Sequence, residues 1–136
     1  MVLAHPDSNG ILQVPMKNRT SGEMIRAYQK LIDRLKSAGI TPKCHILDNE
    51  CSADFKQTIW DNNMTYQLVP PHDHHRNMAE KAIQTFKAHF IIILLCGTDK
   101  DFPLHLWDRL LPQAEHTLNM LWHTKVAPTV SAFAYL

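Results

Sequence analysis

The segment from Asn77 to Cys96, NMAEKAIQTFKAHFIIILLC, most constrains how this chain folds, because residues of like polarity recur in it at helical spacing. One face of the predicted helix carries apolar side chains, namely Ala79, Ile83, Phe86 and Phe90. Another face carries polar side chains at steps of four and three, namely Glu80, Gln84 and Lys87. The pattern predicts a long helix that packs one face against a core.

The N-terminal part of the chain has the pattern of a β-hairpin followed by a helix. The segments MVLAH and ILQVPM each predict a strand, and the turn residues of PDSNG lie between them. Apolar residues then recur at helical spacing and predict a helix from about Ser21 to Ala38. Thr20 and Glu23 have the spacing of a capping box at its start, and Gly39 is a natural stop at its end.

The rest of the chain alternates strands and helices. KCHIL and TYQLVP predict short strands, and a helix from about Ser52 to Asn62 separates them. A last helix begins near Pro103, and Pro112 within it predicts a kink.

Length and composition are those of one globular domain, since 45% of the 136 residues are hydrophobic and 20% are charged. We expect a mixed α/β domain over residues 1–122, with helices packed on a sheet, and an irregular C-terminal tail over residues 123–136. The net charge of +1 excludes a polycation, so any nucleic-acid site has to come from local clustering of basic residues.

Cysteine usage and hydropathy predict an intracellular protein. The three cysteines are too few and too scattered for a disulfide framework, which indicates reduced thiols. The longest apolar run, FIIILLC, falls far short of the roughly 20 residues that span a bilayer, and no signal-peptide pattern opens the chain. We therefore expect no membrane partner.

Two acidic residues occupy positions suited to metal binding. Asp48 follows the apolar strand KCHIL, and Glu80 lies in the first turns of the long helix. Such places hold a side chain rigidly, and hard divalent cations prefer carboxylate oxygens. The structural alternative is that Asp48 turns the chain and Glu80 complements the helix dipole. Position alone leaves both readings open.

The residues around these acids form an ordered pattern along nearly the whole chain. Asp48 is followed by Asn49, and Glu80 stands in the context NMAEK. Downstream come FPLHLWDRLLPQAEHTLNML, with Pro103, Trp107 and Asn119, and the Pro-centred APTVSAFAYL. This set resembles the integrase core of copia-type LTR retrotransposons, in the retroviral integrase superfamily. VLAHPDSNGILQVPMKNRT is similar to the second and third strands of that family.

The resemblance implies an RNase H-like fold, with a mixed β-sheet flanked by α-helices, and DNA strand transfer during DNA integration. Three carboxylates of the family bind two Mg²⁺ or Mn²⁺ ions. One ion activates water or a DNA 3′-hydroxyl, and the other stabilises the leaving oxygen. Asp48 would be the second of these acids and Glu80 the third. The implied partner is DNA, a homo-oligomer is left open, and a functional protein would act in the nucleus.

The resemblance also implies a DNA-binding surface beside Glu80. It would comprise Gln84 and Lys87 on the polar helix face, with Arg76 and Asn77 at the end of the polar segment PHDHHRN. A solvated surface is the alternative for these residues. The histidines of PHDHHRN do not predict a zinc site, because no pair of closely spaced cysteines accompanies them.

The family's first catalytic acid has no clear counterpart. Asp7 is the one early candidate, but it lies in the turn PDSNG, which would point away from the metals. We therefore expect a truncated piece of an element-derived polyprotein that lacks the family's first, central strand. Without it, either MVLAH pairs with KCHIL or the chain is unstable. Glu50 also stands where the family usually has Gly.

Three functional readings follow. The first is an integrase catalytic-core fragment that is catalytically incomplete. The second is a non-enzymatic nucleic-acid-binding or assembly remnant that keeps the helices without the chemistry. The third is another RNase H-like enzyme, such as a transposase or nuclease.

Overall fold

The computed structural model describes residues 1–47, 51–69 and 78–136. Its strands are β1 (Val2–His5), β2 (Gly10–Gln13), β3 (Cys44–Leu47) and β4 (Thr65–Leu68). Its α-helices are α1 (Ser21–Ser37), α2 (Ala53–Asp61), α3 (Met78–Cys96), α4 (Leu111–Leu121) and α5 (Ala132–Tyr135), and a 3₁₀ helix spans Leu104–Leu110. The predicted mixed α/β class is confirmed.

The chain divides into two compact units. The first unit comprises Met1 and Met16–Met78, and the second comprises Val2–Pro15 and Ala79–Leu136. Within the described residues the strands form two small sheets, one per unit, and not the single sheet that the sequence predicted. Of the two alternatives for a chain without the family's first strand, the pairing of MVLAH with KCHIL does not occur among the described residues, because β1 pairs with β2 and β3 pairs with β4.

The first unit is a parallel strand pair whose crossover is α2. Cys44 pairs with Thr65 and Leu47 with Leu68, and parallel strands need such a crossover to bring their ends into register. α1 contacts α2 and buries a continuous apolar stripe, namely Ala27, Tyr28, Leu31, Ile32 and Leu35. The remaining core of this unit includes Leu47, Phe55, Ile59 and Met64. The helical spacing seen in the sequence therefore identified the buried face of α1.

The ends of α1 and α2 show which local signals decided the structure. The Ser52 hydroxyl accepts a hydrogen bond from Phe55 N at 3.3 Å, which confirms it as the N-cap of α2. The predicted capping box of α1 is wrong, because Thr20 makes no side-chain cap bond. The Glu23 carboxylate instead accepts from Lys17 N at 3.0 Å and pairs with Arg26.

The second unit packs the β1–β2 hairpin with α3 and α4. Val2 pairs with Gln13 and His5 with Gly10 in an antiparallel register. The core brings together one strand residue and two helices, namely Ile11, Ala82, Phe86, Leu111, Ala114 and Leu118. Ile83, predicted on the buried face of α3, is 47% exposed, because the face centred on Ala82 and Phe86 meets the core instead.

The helical region after α3 breaks close to the predicted kink. The 3₁₀ helix ends at Leu110, α4 begins at Leu111, and Pro112 lies in its first turn. Proline fits there because first-turn N–H groups have no helical acceptor, so its missing N–H costs nothing. No described helix combines the length and the apolar character needed to cross a membrane.

The segment predicted to be an irregular tail contains α5 and packs on the hairpin turn. His123 bridges to Ser131, and Lys125 N donates to Asp7 O at 3.1 Å. Ala132 in α5 is fully buried. The Lys125–Asp7 contact joins residues that are far apart in the chain, so local sequence patterns could not show it.

Candidate functional site

The predicted site divides between described and undescribed residues. Asp48, Arg76 and Asn77 lie outside the described residues, as does the histidine-containing segment His72–His75. Their predicted roles stay predictions. Glu80, Gln84 and Lys87 are described, and each is part of α3 in the second unit.

β3 and β4 end at the same edge of their sheet, which is the edge from which Asp48 follows in the sequence. Leu47 and Leu68 are the last paired residues, and Val69 N donates to Leu47 O at 2.9 Å. Leu47 is buried, at 8% exposure. The carboxyl edge of parallel strands is where α/β folds place binding side chains, so β3 delivers the chain to a suitable position at residue 47.

Glu80 lies in the first turn of α3 and is exposed. Gln84 and Lys87 are also exposed, one and two helical turns further along. We call these three residues the polar face of α3. The prediction that they share a face is confirmed, and a carboxylate at a helix N-terminus with a lysine nearby can meet both a cation and a phosphate.

Asp48 and Glu80 belong to different units of the chain. Among the described residues, no three histidine, cysteine or acidic side chains are grouped closely enough to hold a metal ion. Since Asp48 is outside that set, the predicted Asp48–Glu80 metal pair stays a prediction.

Asp7 has a structural role in the hairpin turn. Its side chain is exposed, and its carbonyl oxygen accepts the hydrogen bond from Lys125 N. The next residue, Ser8, is buried, with its hydroxyl oxygen 2.9 Å from His5 Nδ1 and accepting from Gly10 N at 3.0 Å. Asn9 adopts a left-handed backbone, with φ of 56°. The turn that contains Asp7 is thus fixed by its own hydrogen bonds, as turn chemistry predicts.

Two polar side chains of α4 bind the outer edge of β2, which sequence reasoning missed. Asn119 Oδ1 accepts from Ile11 N and Asn119 Nδ2 donates to Ile11 O, each at 2.9 Å. Glu115 Oε2 accepts from Gln13 N at 2.8 Å. Asn119 and Glu115 are 2% and 7% exposed, so these bonds are made away from water. The helix takes the place of a neighbouring strand and closes that edge.

One signal for this contact was present in the sequence. Glu115 and Asn119 are four residues apart and share a helical face with the buried Leu111 and Leu118. Polar residues on the apolar side of a helix indicate buried hydrogen bonds, because an unpaired buried polar group is costly. The partner strand could not have been identified this way.

Histidines in both units have environments that disfavour their charged form. Burial lowers the pKa of His45, whose ring meets the ring of Tyr28 edge-on at 5.3 Å. Burial also lowers the pKa of His5, and the charge of Asp7 opposes that effect. Burial raises the pKa of Tyr28 far above its usual range, with a smaller contribution from Cys51. These groups are therefore uncharged parts of the packing at neutral pH.

Comparison with known proteins adds no family assignment, since neither a protein-family model nor a curated protein matches the chain.

Proposed function

We propose that the chain is an integrase-type catalytic-core piece of RNase H-like fold that binds DNA, with Asp48 and Glu80 as two of three metal-binding carboxylates. The pairing of the strands carries the proposal. Under the resemblance, β1 and β2 are the family's second and third strands, and β3 is its fourth. The family's first strand lies between its second and fourth.

The two sheets have the partners that this assignment requires. β1 and β2 form an antiparallel hairpin, and β3 and β4 form a parallel pair around α2. Each pair is a separate two-stranded sheet among the described residues. These pairings are compatible with an arrangement in which the strand between β1 and β3 is not contributed by those residues. Any α/β chain could hold a hairpin and a parallel crossover, and what supports the proposal is that they occur in the chain order that the resemblance implies.

The metal chemistry follows from the donor set. Asp48 and Glu80 offer carboxylate oxygens, the donors that Mg²⁺ and Mn²⁺ prefer. Bound in a pair, such ions supply the activation of an attacking hydroxyl and the stabilisation of a leaving oxygen. The chain's own residues would position the ions at the end of β3 and at the start of α3.

The site is proposed to be catalytically incomplete. Asp7 is held in the hairpin turn by the Lys125–Asp7 backbone contact, and the turn's hydrogen bonds account for its position without a metal. Two carboxylates offer fewer donors than the family's three, so we expect weak metal binding and little strand transfer. The polar face of α3 would still be available to DNA phosphates through Lys87.

Glu80→Gln tests the metal site, with Asp54→Asn as the matched control. Both carboxylates are in the first turn of a helix and both are exposed, but only Glu80 belongs to the proposed site. Titration calorimetry with Mn²⁺ should show the affinity falling about tenfold or more in Glu80→Gln, the scale seen when metal sites lose a supporting group. Asp54→Asn should bind Mn²⁺ as wild type does.

Duplex DNA binding and strand transfer separate the readings. Fluorescence anisotropy should show DNA binding in wild type and in Glu80→Gln alike, because the lysine contact remains. Equal Mn²⁺ binding by Glu80→Gln and wild type would refute the metal site and leave the non-enzymatic nucleic-acid-binding reading. Strong strand transfer that Glu80→Gln abolishes would refute the proposed incompleteness, and hydrolysis products in place of joined strands would indicate a nuclease.

A further inference from the structure

The hydrogen bonds of β2 determine which backbone groups of β1 point outward from the hairpin. Ile11 N and Gln13 N donate to side chains of α4, so both residues direct their backbone groups away from β1. In an antiparallel pair, two directly opposed residues point their backbone groups either towards each other or both outward. The residues opposed to them are Ala4 and Val2, respectively. The N–H and C=O groups of Ala4 and Val2 therefore point away from β2.

These outward groups form an open, unprotected strand edge. Among the described residues, β1 pairs only with β2, and Val2 and Ala4 make no other backbone hydrogen bond. The register from Val2 to His5 runs without a bulge, and VLAH contains no lysine or proline. Bulges, lysines and prolines are the features that keep an open edge from pairing with another strand. The edge of β1 has none of them, whereas side chains of α4 cover the edge of β2.

The side of α3 that carries Ile83 lies towards this open edge. α4 covers the edge of β2, and on α3 the ring of His89 contacts α4, with Nε2 2.8 Å from Thr117 Oγ1. At about 100° per residue, Ile83 and His89 lie on opposite sides of the buried Ala82 and Phe86. Ile83 is therefore on the side of α3 away from α4, which is the side on which β1 lies in the hairpin.

This side of α3 is left incompletely covered. Ile83 is 47% exposed although the sequence predicts its burial, and Ala79, one turn earlier, is exposed too. Phe90, further along the same side, is half-buried and meets the ring of Trp107 edge-on at 6.2 Å. The 3₁₀ helix thus covers the later part of this side, and the part around Ile83 stays exposed beside the open edge.

We propose that the outer edge of β1 binds an extended segment of another polypeptide, which adds to the hairpin as a third strand. The backbone of the partner would bond to the outward groups of Val2 and Ala4, and its side chains would alternate between the two faces of the sheet. The side chains of Val2 and Ala4 pack against the core. On that face the partner's side chains would cover Ile83, so they have to be apolar at alternate positions. On the other face they would stand beside Leu3 and His5, which are half-buried.

The geometry of the edge selects this class of partner. Its N–H and C=O groups have the spacing of an extended chain, and another extended backbone offers acceptors and donors at the same spacing. The phosphates of nucleic acid accept hydrogen bonds but do not donate them, so they would leave the C=O groups of Val2 and Ala4 unmatched. The proposal does not depend on the proposed function, because it uses neither Asp48 nor Glu80.

Amide hydrogen exchange of the full chain, followed by NMR, tests whether the edge is open. The Leu3 N–H points towards β2 and should exchange slowly, whereas the Ala4 N–H should exchange at least about tenfold faster at every protein concentration. An Ala4 N–H as protected as that of Leu3 would overturn the proposal. Such protection at all concentrations would mean a closed edge, and protection only at high concentration would mean that a second copy occupies it.

A peptide probe of alternating valine and threonine, with a lysine at each end, tests the class of partner. Its valines can face the core side of the sheet while its threonines face the other side. Titration should shift the amide signals of Val2 and Ala4 with a Kd of about 1 mM or tighter, and should slow the exchange of the Ala4 N–H. The same peptide with N-methylated amides keeps its side chains but loses its donors, and it should not bind. Absence of binding by the first peptide, or equal binding by both, would overturn the proposal.

Ile83→Gln tests the face that the partner covers, with Ile92→Gln as the matched control. Both isoleucines are exposed on α3, at 47% and 59%, but Ile92 lies half a turn around the helix from Ile83. Ile83→Gln should weaken binding of the valine–threonine peptide about fivefold or more, because less apolar surface is buried. Ile92→Gln should bind the peptide as wild type does, and both variants should keep the wild-type circular dichroism spectrum. Equal weakening by the two substitutions would refute the placement of the partner beside Ile83.

Discussion

Each unit of the chain contains a long helix, but the two helices differ in how much of their apolar surface is buried. In the first unit, α1 buries five residues on one face, from Ala27 to Leu35, and its other positions are largely polar. In the second unit, α3 buries Ala82 and Phe86 and leaves Ile91, Ile92 and Leu95 exposed. α1 buries its apolar face within the chain, whereas α3 leaves part of its apolar surface exposed.

The sheets of the two units also differ in the interactions that hold them. The outer edge of β2 in the second unit is closed by buried side chains of α4, through Asn119 and Glu115. In the first unit, the parallel pair β3–β4 is held by the crossover helix α2 and an apolar core. The first unit therefore depends on apolar burial, while the second also depends on a few buried polar bonds. That difference determines which substitutions should be most harmful in each unit.

The largest effect is expected from truncating the buried face of α1. Leu31 is fully buried and Leu95 is 73% exposed, so the same side chain can be compared in a buried and an exposed position. Leu31→Ala should lower the free energy of unfolding by about 2–5 kcal/mol, because it removes buried atoms and leaves a cavity. Leu95→Ala should change it by less than about 0.5 kcal/mol.

Urea unfolding followed by circular dichroism measures both changes. Leu95→Ala acts as the exposed control for Leu31→Ala. If the two variants lost equal stability, the conclusion that α1 buries its apolar face while α3 leaves Leu95 exposed would be wrong.

An intermediate effect is expected at the edge of β2. Asn119→Ala leaves the N–H and C=O groups of Ile11 without their side-chain partners, and Ile11 is 1% exposed. Leaving a buried polar group unpaired costs about 1–3 kcal/mol, so a loss in this range is expected. Asn62→Ala in the first unit removes hydrogen bonds to Gln29 and Lys36 near solvent and should cost less than about 1 kcal/mol.

Thermal and urea unfolding of the two asparagine variants decide the point. Asn119→Asp is a further control, since it keeps the acceptor for Ile11 N and loses the donor to Ile11 O. It should be at least as destabilised as Asn119→Ala at neutral pH, because it buries a carboxylate against the carbonyl oxygen of Ile11. An Asn62→Ala variant less stable than Asn119→Ala would contradict the dependence of the second unit on buried polar bonds.

Elements whose signals are local could be predicted from the sequence. The spacing of Tyr28, Leu31 and Leu35 identified α1, and Ser52 identified the start of α2. The capping box at Thr20 failed although its spacing was correct, because Arg26 and Lys17 donate to the Glu23 carboxylate and Asn18 Oδ1 accepts from Thr20 N and Oγ1. Correct spacing in the sequence permits a hydrogen bond, but whether it forms depends on the other donors and acceptors nearby.

Contacts between distant residues could not be predicted. α5 forms in a segment with little periodicity because Ala132 is buried in the second unit, where the tail meets the hairpin turn. The bonds of Asn119 to Ile11 join residues 108 positions apart. For the candidate site, the sequence predicted the shared face of Glu80, Gln84 and Lys87. The proposed pairing of Glu80 with Asp48 stays a prediction, because Asp48 lies outside the described residues.

The smallest effect is expected from pH, and it tests whether the two units respond alike. Burial lowers the pKa of His45 in the first unit and of His5 in the second, below the value of about 6.5 for an unfolded histidine. Below pH 6.5 the unfolded chain binds protons that the folded chain resists, so stability is fully present above pH 6.5 and declines as the pH falls. The charge of Asp7 opposes the lowering of the His5 pKa, whereas burial alone acts on the His45 pKa.

His45→Gln should therefore reduce the loss of melting temperature between pH 7.5 and pH 5.5 more than His5→Gln does. His105→Gln, which replaces an exposed histidine by the same residue, serves as the control. Melting curves at the two pH values measure all three variants, and a larger reduction in His5→Gln would show that the second unit carries the pH dependence instead.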